Sequence, residues 1–308
     1  MPNTTPKVAV IIPHFENVDL LSECLKSCQD IVYPNYEIII VKNGDRSNLT
    51  LPAMQKLADR VATIIDLPEN VGYARANNHG IQQAISTGAD FILLMNDDTA
   101  VSPHFLSLLV EASEKSLDVG ILGPAIYYFS EPDKIWFAGA RFDQQSCSVS
   151  TTEFDEIQQR KNSESIGSDY ITGCALLVKR EIIEKIGPLD ERFFLYWEDV
   201  DWGLRAAKAG YKNLIVPSAR IWHKVSVSTG GPDSPLKSYH KTRSHLIMAN
   251  LHAPWVLAKL QYAFLRDIAW LLLKSFDEKR MRKALAYLAA IKDYHLGKTD
   301  RGPHWLWQ

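Results

Sequence analysis

The first half of the chain alternates short runs rich in β-branched residues with helical patterns. Candidate strands lie at 7–12, 36–41, 61–65, 90–95 and 118–122, and candidate helices lie between them at 17–29, 51–59, 73–86 and 102–115. Strands that alternate with helices at these lengths are typical of βαβ units, which build a largely parallel sheet. We therefore predict an α/β fold with a mostly parallel central sheet flanked by helices.

The second half of the sequence has a different character. Aromatic-rich segments around 125–143 and 170–179 predict added strands, and the polar, Ser-rich stretch 146–168 predicts a mobile loop. A Gly/Ser/Pro-rich stretch at 226–235 precedes helical patterns that continue to the last residues. The sequence thus predicts a first domain at residues 1–235 and a helical C-terminal extension at residues 236–308.

Composition and cysteine usage indicate an ordinary folded intracellular protein. The hydrophobic content of 46% and charged content of 23% in 308 residues are near average. The 4 cysteines are scattered, so we expect all of them to be reduced and structural. A basic-then-apolar leader is not seen at the N-terminus, which favours a cytoplasmic location.

The C-terminal extension is basic and amphipathic. Residues 237–308 carry 13 Lys and Arg against 5 Asp and Glu, although the net charge of the chain is only -2. The apolar residues of 254–276 are interrupted by Lys259, Arg266 and Asp267, which excludes a membrane-spanning run. A basic cluster at 279–283 follows. This pattern predicts peripheral contact with the inner, anionic membrane surface; packing on the first domain and homo-oligomerisation remain alternatives. No nucleic-acid partner is predicted.

Two adjacent carboxylates follow the apolar run at 91–94, where a predicted strand ends. Asp97 and Asp98 would therefore lie beyond the carboxyl edge of the sheet, which is where open α/β sheets bind ligands. Mg²⁺ and Mn²⁺ favour one or two carboxylates together with substrate phosphate oxygens. The pair predicts a divalent metal site that takes a nucleotide-diphosphate substrate. The alternative is a surface turn in which Asp97 caps a helix beginning near Ser102.

A second acidic segment, residues 196–205, has the pattern of a helix beginning that ends at Gly210. Asp201 and Arg205 are four residues apart and can pair on one helix face. Asp199 lies at the N-terminal end, where its carboxylate can point into a cleft and where the helix dipole favours the ionised form that a general base needs. Capping of the helix is the competing interpretation for Asp199.

Two further segments place functional groups at element ends. His223 ends a strand-like run, as Asp98 does, so it is a plausible further ligand of the same metal, and imidazole suits Mn²⁺ better than Mg²⁺. The segment 70–80 opens a helix whose N-terminal amides, with Arg75, could contact a phosphate. Its glycine spacing differs from the dinucleotide fingerprint and no Walker sequence occurs, which argues against NAD enzymes and P-loop NTPases.

Taken together, these segments resemble the inverting nucleotide-sugar glycosyltransferases of family 2, which have the GT-A fold. The resemblance runs from about residue 8 to residue 245. It rests on seven motifs in order: Val10-Ile11-Ile12-Pro13, the run 37–44, Asn70-Val71-Gly72 with Asn77, Asn96-Asp97-Asp98-Thr99, Gly173-Cys174-Ala175, Glu198-Asp199-Val200-Asp201 and His223.

The resemblance implies a role for each matched position. Asp98 would bind the metal, with His223 as a further ligand, and Asp199 would be the catalytic base. Donor contacts are implied for Pro13, Asn43, Asn70, Gly72, Arg75, Asn77 and Asp97. Acceptor contacts are implied for Gly173, Cys174, Glu198, Trp202 and Arg243. Tyr239, Arg243 and Ser244 are most similar to bacterial rhamnosyltransferases, which implies transfer of rhamnose from dTDP-rhamnose to a glycan or lipid-linked glycan in cell-surface polysaccharide synthesis.

One position departs from the family pattern. The family usually has an Asp where this chain has Lys42, at a position that touches the nucleobase, so Asn43 or Asp45 would have to take over that contact. UDP-hexose and UDP-galactofuranose therefore remain alternative donors. A nucleotidyltransferase and a non-catalytic sugar-binding protein are the alternative classes; the first would ordinarily have a Gly-rich, basic loop after its first strand, where this chain has Pro13-His14-Phe15-Glu16-Asn17.

Overall fold

A computed structural model describes residues 5–44, 49–151, 165–225, 234–274 and 278–307. The first half alternates strands and helices as predicted: β1 (Val8–His14), α1 (Val18–Cys28), β2 (Tyr36–Asn43), α2 (Leu51–Gln55), β3 (Val61–Leu67), α3 (Tyr73–Ser86), β4 (Phe91–Met95), β5 (Thr99–Val101), α4 (Phe105–Glu114) and β6 (Val119–Tyr128).

The second half adds short strands, further helices and one long strand. Its elements are β7 (Ile135–Phe137), β8 (Ala140–Asp143), β9 (Ser148–Thr151), β10 (Ile166–Ser168), β11 (Ala175–Lys179), α5 (Arg180–Ile186), α6 (Glu198–Lys208), β12 (Lys212–His223), α7 (Pro235–His252), α8 (Leu257–Lys274) and α9 (Glu278–His295). Short 3₁₀ turns lie at Pro254–Val256 and His304–Trp307.

The central sheet has the strand order β10-β12-β6-β11-β4-β1-β2-β3, and β5 and β7 pair with β12 and β6. Strands β1 to β4 are mutually parallel along this path, and β6 is parallel to β12. Strand β11 runs antiparallel to both of its neighbours, β4 and β6. The prediction of a mixed α/β fold with a mostly parallel sheet is confirmed. Because β11 is reversed, its amino end lies at the same edge as the carboxyl ends of β1, β2 and β4.

The middle of the sheet is fully buried because helices cover its faces. Every residue from Val8 to Ile12 in β1 and from Ile92 to Met95 in β4 has zero exposure, as expected of a parallel strand covered on both sides. Helix α3 crosses close to β1 at Gly80, where any side chain would meet Ile11. All four cysteines are buried and free, as predicted.

Several boundaries differ from those that the sequence predicts. Thr99–Val101 forms a strand instead of leading into the helix, because it pairs antiparallel with β12 in the register His223↔Thr99. Helix α4 consequently begins at Phe105, not at residue 102. Strand β6 continues beyond residue 122 to Tyr128 because β12 pairs with its second half. Much of the predicted 146–168 loop and of the 226–235 stretch lies outside the described residues.

The C-terminal helices pack partly on the sheet domain and partly on each other. Ile247, Met248 and Ala249 of α7 belong to the main hydrophobic core, whereas Ile268 and Ala284 belong to a separate small cluster between α8 and α9. The predicted domain boundary at residue 235 coincides with the start of α7 and stays a prediction. Within the described part of the chain, none of the helices is long and apolar enough to span a membrane.

Candidate functional site

A cavity of about 870 Å³ lies at the carboxyl edge of the central sheet. It is bounded by the ends of β1, β2, β4 and β12, by the beginnings of β11 and α6, and by side chains from the C-terminal helices. Eleven of the predicted site residues line it: Pro13, Asn43, Asn70, Gly72, Asp97, Asp98, Gly173, Cys174, Glu198, Asp199 and His223. The cavity therefore lies at the edge of the sheet where the predicted strands end.

Asp98 and His223 come together through the pairing of β5 with β12. The backbone amide of Lys224 donates to the carbonyl oxygen of Asp98 at 3.0 Å, which joins the ends of the two segments. The two side chains are buried, and Asp98 Oδ1 lies 3.2 Å from His223 Nε2. This contact does not have the geometry of a hydrogen bond. Among the described residues, neither Asp98 Oδ1 nor His223 Nδ1 has a hydrogen-bond partner. The ring of Trp136 packs edge-on against His223, with centroids 4.4 Å apart.

This pair fits a divalent cation that shares its coordination with a substrate. A carboxylate and an imidazole suit Mn²⁺, and such sites commonly use few protein ligands plus waters and phosphate oxygens. The described residues contain no group of three or more His, Cys, Asp or Glu side chains arranged around one metal position. A closed, all-protein metal site is therefore not seen in that part of the chain.

Asp97 is held by a histidine that the sequence analysis did not single out. Asp97 Oδ2 lies 2.7 Å from Nδ1 of His14, the last residue of β1. Burial raises the pKa of Asp97, and the hydrogen bond and charge of His14 act in the opposite direction. His14 follows an apolar strand as Asp98 does, so the same strand-end argument could have found it. The alternative that Asp97 caps a helix is wrong, because α4 begins eight residues later.

The chain enters α6 through two consecutive residues in the left-handed backbone region. Tyr196 and Trp197 have φ values of 69° and 74°, which cost energy in non-glycine residues and concentrate at functional sites. This turn places Glu198 and Asp199 at the cavity. Asp199 Oδ2 accepts a hydrogen bond of 2.9 Å from the amide of Gly173, and Asp199 Oδ1 accepts one of 2.8 Å from Val200.

Burial changes the electrostatics that the sequence predicts for these acids. Burial raises the pKa of Asp199, and the amide bonds from Gly173 and Val200 offset only part of that effect. The expectation that the helix N-terminus alone keeps Asp199 ionised is therefore too simple. Burial, and then the charge of Asp199, raise the pKa of Glu198 well above its usual range. Because Asp199 accepts two amide bonds, it is the better placed of the two to carry the negative charge.

The segment 70–72 is shaped by the predicted asparagines. Asn43 Oδ1 accepts from the amide of Val71 at 2.9 Å, and Asn43 Nδ2 donates to Asn70 Oδ1 at 3.1 Å. Gly72 has φ 90°, and a side chain there would collide with Phe194, so glycine is required. The amide of Tyr73 donates to the carbonyl oxygen of Phe194 at 2.7 Å. This first amide of α3 is thus already used, which weakens the prediction that the helix N-terminus contacts a phosphate.

Four predicted residues do not line the cavity because each is engaged elsewhere. Arg75 pairs with Glu191 at 2.8 Å, and Asn77 Nδ2 donates to the carbonyl oxygen of Tyr73. Trp202 is buried on the core face of α6 and donates to Gly187. Arg243 has zero exposure and donates to the hydroxyl oxygen of Tyr239 at 2.9 Å. None of these four side chains is among the residues that line the cavity in the described structure.

Lys42 also lies outside the cavity lining. Its amine is 3.3 Å from Asp66 Oδ2 on the neighbouring strand, β3. Asp45, the other residue considered for that nucleobase contact, lies outside the described residues. Asp201 and Arg205 pair at 2.7 Å, as predicted from their spacing.

The C-terminal extension contributes cavity residues that local sequence patterns could not indicate. Trp307 lines the cavity and packs edge-on against Phe15 and Phe194, with centroids 6.2 Å from each. Lys237, Lys241 and Lys283 also line it. Contacts between residues nearly 300 positions apart have no local signal. They follow only from how the helices fold back over the sheet.

The sequence profile described as glycosyl transferase family 2 matches residues 9–187. This match covers more than half of the chain. The chain belongs to glycosyl transferase family 2. The family match, together with the relatives below, shows that the chain is a glycosyltransferase.

Related proteins include two rhamnosyltransferases and a galactofuranosyltransferase. An N-acetylglucosaminyl-diphospho-decaprenol L-rhamnosyltransferase of Mycobacterium tuberculosis is 27% identical, with 87% of this chain and 92% of the relative covered. The dTDP-rhamnosyl transferase RfbF of Shigella flexneri is 26% identical, with coverages of 83% and 84%. The galactofuranosyltransferase GlfT2 of Mycobacterium tuberculosis is 23% identical, with 80% of this chain and 42% of the relative covered.

Solved structures confirm the GT-A fold. GalNAc-T7, solved with UDP, GalNAc and Mn²⁺, superposes with a TM-score of 0.67 and 16% identity, covering 99% of this chain and 56% of that one. The mannosyltransferase PcManGT of Pyrobaculum calidifontis, solved with GDP-Man and Mn²⁺, gives a TM-score of 0.59 and 16% identity, with coverages of 96% and 89%. At these identities the likeness concerns the fold alone.

Proposed function

We propose that this chain is a metal-dependent inverting glycosyltransferase that transfers rhamnose from dTDP-rhamnose to a hydroxyl group of a glycan acceptor in bacterial cell-surface polysaccharide synthesis. The observation that carries the proposal is the meeting of two groups in one cavity. The Asp98 and His223 pair can hold a cation, and the Asp199 carboxylate is fixed by a backbone amide. The likeness to two rhamnosyltransferases over most of their length supports the sugar.

The cavity residues divide the reaction between two sides. Asp98 and His223 would hold Mn²⁺ or Mg²⁺, which when bound supplies positive charge that stabilises the leaving diphosphate. Asp199 takes the proton from the acceptor hydroxyl as that oxygen attacks the anomeric carbon from the face opposite the leaving group, so the configuration inverts. Gly173 and Cys174, which directly precede β11, border the same cavity, and the Gly173 amide donates to Asp199 Oδ2 there.

The donor specificity is directly testable. Purified protein should bind and turn over dTDP-rhamnose in the presence of Mn²⁺, with UDP-hexoses and GDP-mannose measured in the same isothermal titration and transfer assays. Binding and turnover of a UDP-sugar with no response to dTDP-rhamnose would refute the rhamnose assignment. UDP-galactofuranose is the second candidate, because the chain is also similar to a galactofuranosyltransferase and carries Lys42 at a position implied to contact the base.

We also propose that α8 and α9 dock the enzyme on the inner face of an anionic membrane. Part of each helix is packed internally, but α8 also has exposed apolar side chains, including Tyr262 at 69% and Leu273 at 85% exposure, and Trp255 in the preceding 3₁₀ turn is 62% exposed. The cationic residues at 279–283 follow on α9. Apolar side chains next to cations are what an anionic lipid surface attracts. A lipid-linked acceptor would then share one plane with the enzyme.

Liposome flotation tests this docking. At low salt the full-length protein should float with anionic vesicles, and a variant with Lys279, Arg280 and Arg282 replaced by Gln should float much less, because each cation near the surface contributes about 1 kcal/mol. Neutral vesicles serve as the matched control. Equal flotation of both proteins, or none with either, would favour packing or dimerisation as the role of these helices.

A further inference from the structure

Acidic and basic side chains reach the cavity from different parts of the chain. The acids Asp98, Glu198 and Asp199 lie at the ends of sheet strands and at the start of α6, whereas the lysines Lys237, Lys241 and Lys283 come from the C-terminal helices. The Asp98 and His223 pair already provides for the diphosphate of a nucleotide sugar. These three lysines, called the lysine wall below, form a cationic surface in the same cavity. The proposed mechanism does not use them.

Lys237 and Lys241 form the centre of this wall. They lie four residues apart in the first turns of α7, so their side chains project from one face of the helix. Neither lysine makes an ion pair with any described residue. The amine of Lys241 lies over the Tyr196 ring at 5.4 Å from its centroid, which fixes it beside the turn that leads to Asp199.

Burial, and then the charge of Lys237, lower the pKa of Lys241. Two cations that repel each other without a neutralising acid are stabilised by a bound anion.

The surroundings of the lysines indicate the kind of anion. Phe264 of α8 and Tyr287 of α9 line the same cavity, with ring centroids 5.9 Å apart, and Phe264 packs against His245 of α7. The same helix, α8, also exposes Leu265 and Leu273 to solvent. The C-terminal helices therefore carry lysines and aromatic rings at the cavity and aliphatic side chains at the surface. A ligand with a phosphate head and a hydrocarbon tail matches this combination.

We propose that Lys237 and Lys241 bind the phosphate group of an acceptor that is carried on a lipid phosphate. The inference rests on the proposed function, in that the cavity holds both substrates of the transfer. It assigns the acceptor side of the cavity to the C-terminal helices and gives the phosphate of a lipid-linked acceptor two named binding residues, Lys237 and Lys241. The donor diphosphate stays on the side of Asp98 and His223.

The test compares a double variant, K237Q/K241Q, with a control of equal charge change, K115Q/K208Q, whose lysines are exposed and lie outside the cavity. Isothermal titration with geranyl diphosphate is done on the full chain in EDTA, so that no cation can hold the diphosphate at Asp98 and His223. Geraniol is the uncharged matched ligand. In a second arm, dTDP and UDP are titrated in Mn²⁺. Thermal melting reports whether each variant is folded.

The wild-type protein and K115Q/K208Q should bind geranyl diphosphate equally, K237Q/K241Q should bind it at least about tenfold more weakly, and geraniol should bind all three alike. Unchanged affinity in K237Q/K241Q would overturn the proposal. An equal loss for geraniol would also overturn it, since the cause would then be packing. A loss confined to the nucleotides would assign the lysines to the donor. Turnover of nucleotide sugars by the wild-type protein is measured in a separate assay. If no turnover is observed, the comparison of geranyl diphosphate affinities still tests the lysine assignment.

Discussion

Replacing Asp199 by Asn is expected to slow sugar transfer at least about a hundredfold while leaving the fold and donor binding intact, the usual scale for loss of a general base. The amide keeps the size of the carboxylate and can still accept one of the hydrogen bonds from Gly173 and Val200. It cannot take a proton from the acceptor. Steady-state transfer rates and donor titration on the same preparation separate these two effects.

The pH profile gives an independent readout of the same residue. Burial raises the pKa of Asp199, so its basic form is present above that pKa and is lost as the pH falls through it. The transfer rate of the wild-type enzyme should therefore decline on the acid side at a higher pH than an ordinary Asp would give, and this limb should disappear in D199N. Glu198→Gln is the neighbouring control. If D199N keeps wild-type turnover, Asp199 is a helix cap and Glu198 becomes the next candidate for the base.

The sequence predicted the parts of the site that depend on strand ends. Parallel strands bring their carboxyl ends to one edge, so Pro13, Asn43 and Asp98 could be placed together from the alternation of elements alone. Gly173 reached the same edge for a reason that periodicity does not reveal. Strand β11 is reversed, and its amino end therefore lies beside the end of β4. Only the family resemblance indicated that position.

Several predicted site residues on helices do not line the cavity, because a helix directs their side chains elsewhere. Arg75 and Asn77 follow Gly72 closely in sequence, yet the turns of α3 direct them to Glu191 and to the helix backbone. Trp202 is three residues beyond Asp199 and faces the core. A helix presents only part of its circumference to a cavity, and a sequence motif does not say which part until the packing of the helix is known.

Arg243 is a clearer case of the same kind. The resemblance of Tyr239, Arg243 and Ser244 to a rhamnosyltransferase pattern predicts an acceptor contact for Arg243, but in the structure Arg243 is buried with Tyr239, whose hydroxyl donates to Asp293 of α9 at 2.8 Å. These contacts join α7 to α9. A pattern shared with rhamnosyltransferases can thus reflect how the C-terminal helices are held and need not reflect contact with the sugar. The donor assignment depends on the relatives more than on Arg243.

The cavity residues that sequence patterns did not indicate have a common physical origin. Lys241 and Trp307 belong to segments far along the chain, and they reach the cavity because α7, α9 and the final 3₁₀ turn fold back over the edge of the sheet. Hydrophobic periodicity predicts that such helices exist. It does not predict which element they will cover, because that choice depends on complementary surfaces formed only after the sheet has assembled.

Replacing Asp98 by Ala should abolish the contribution of metal to donor binding and lower turnover at least about a hundredfold, since a cation at the leaving group supplies several kcal/mol of charge stabilisation. The backbone contact between Lys224 and the carbonyl oxygen of Asp98 is unaffected by this change, so β5 and β12 stay joined. Donor titration with and without Mn²⁺ measures the effect apart from turnover. Asp118→Ala, which removes an exposed acid far from the cavity lining, is the matched control.

His223→Ala should weaken the response to Mn²⁺ less than Asp98→Ala does, because a neutral imidazole contributes less to holding a hard cation than a carboxylate does. Mn²⁺ should support the wild-type enzyme better than Mg²⁺, and this preference should shrink in H223A. Since Asp98 Oδ1 and His223 Nε2 are 3.2 Å apart, both variants act at one position, and their effects on donor affinity should not add. Undiminished turnover of the wild-type enzyme in excess EDTA would exclude a metal role for this pair and leave it as a buried polar contact between β5 and β12.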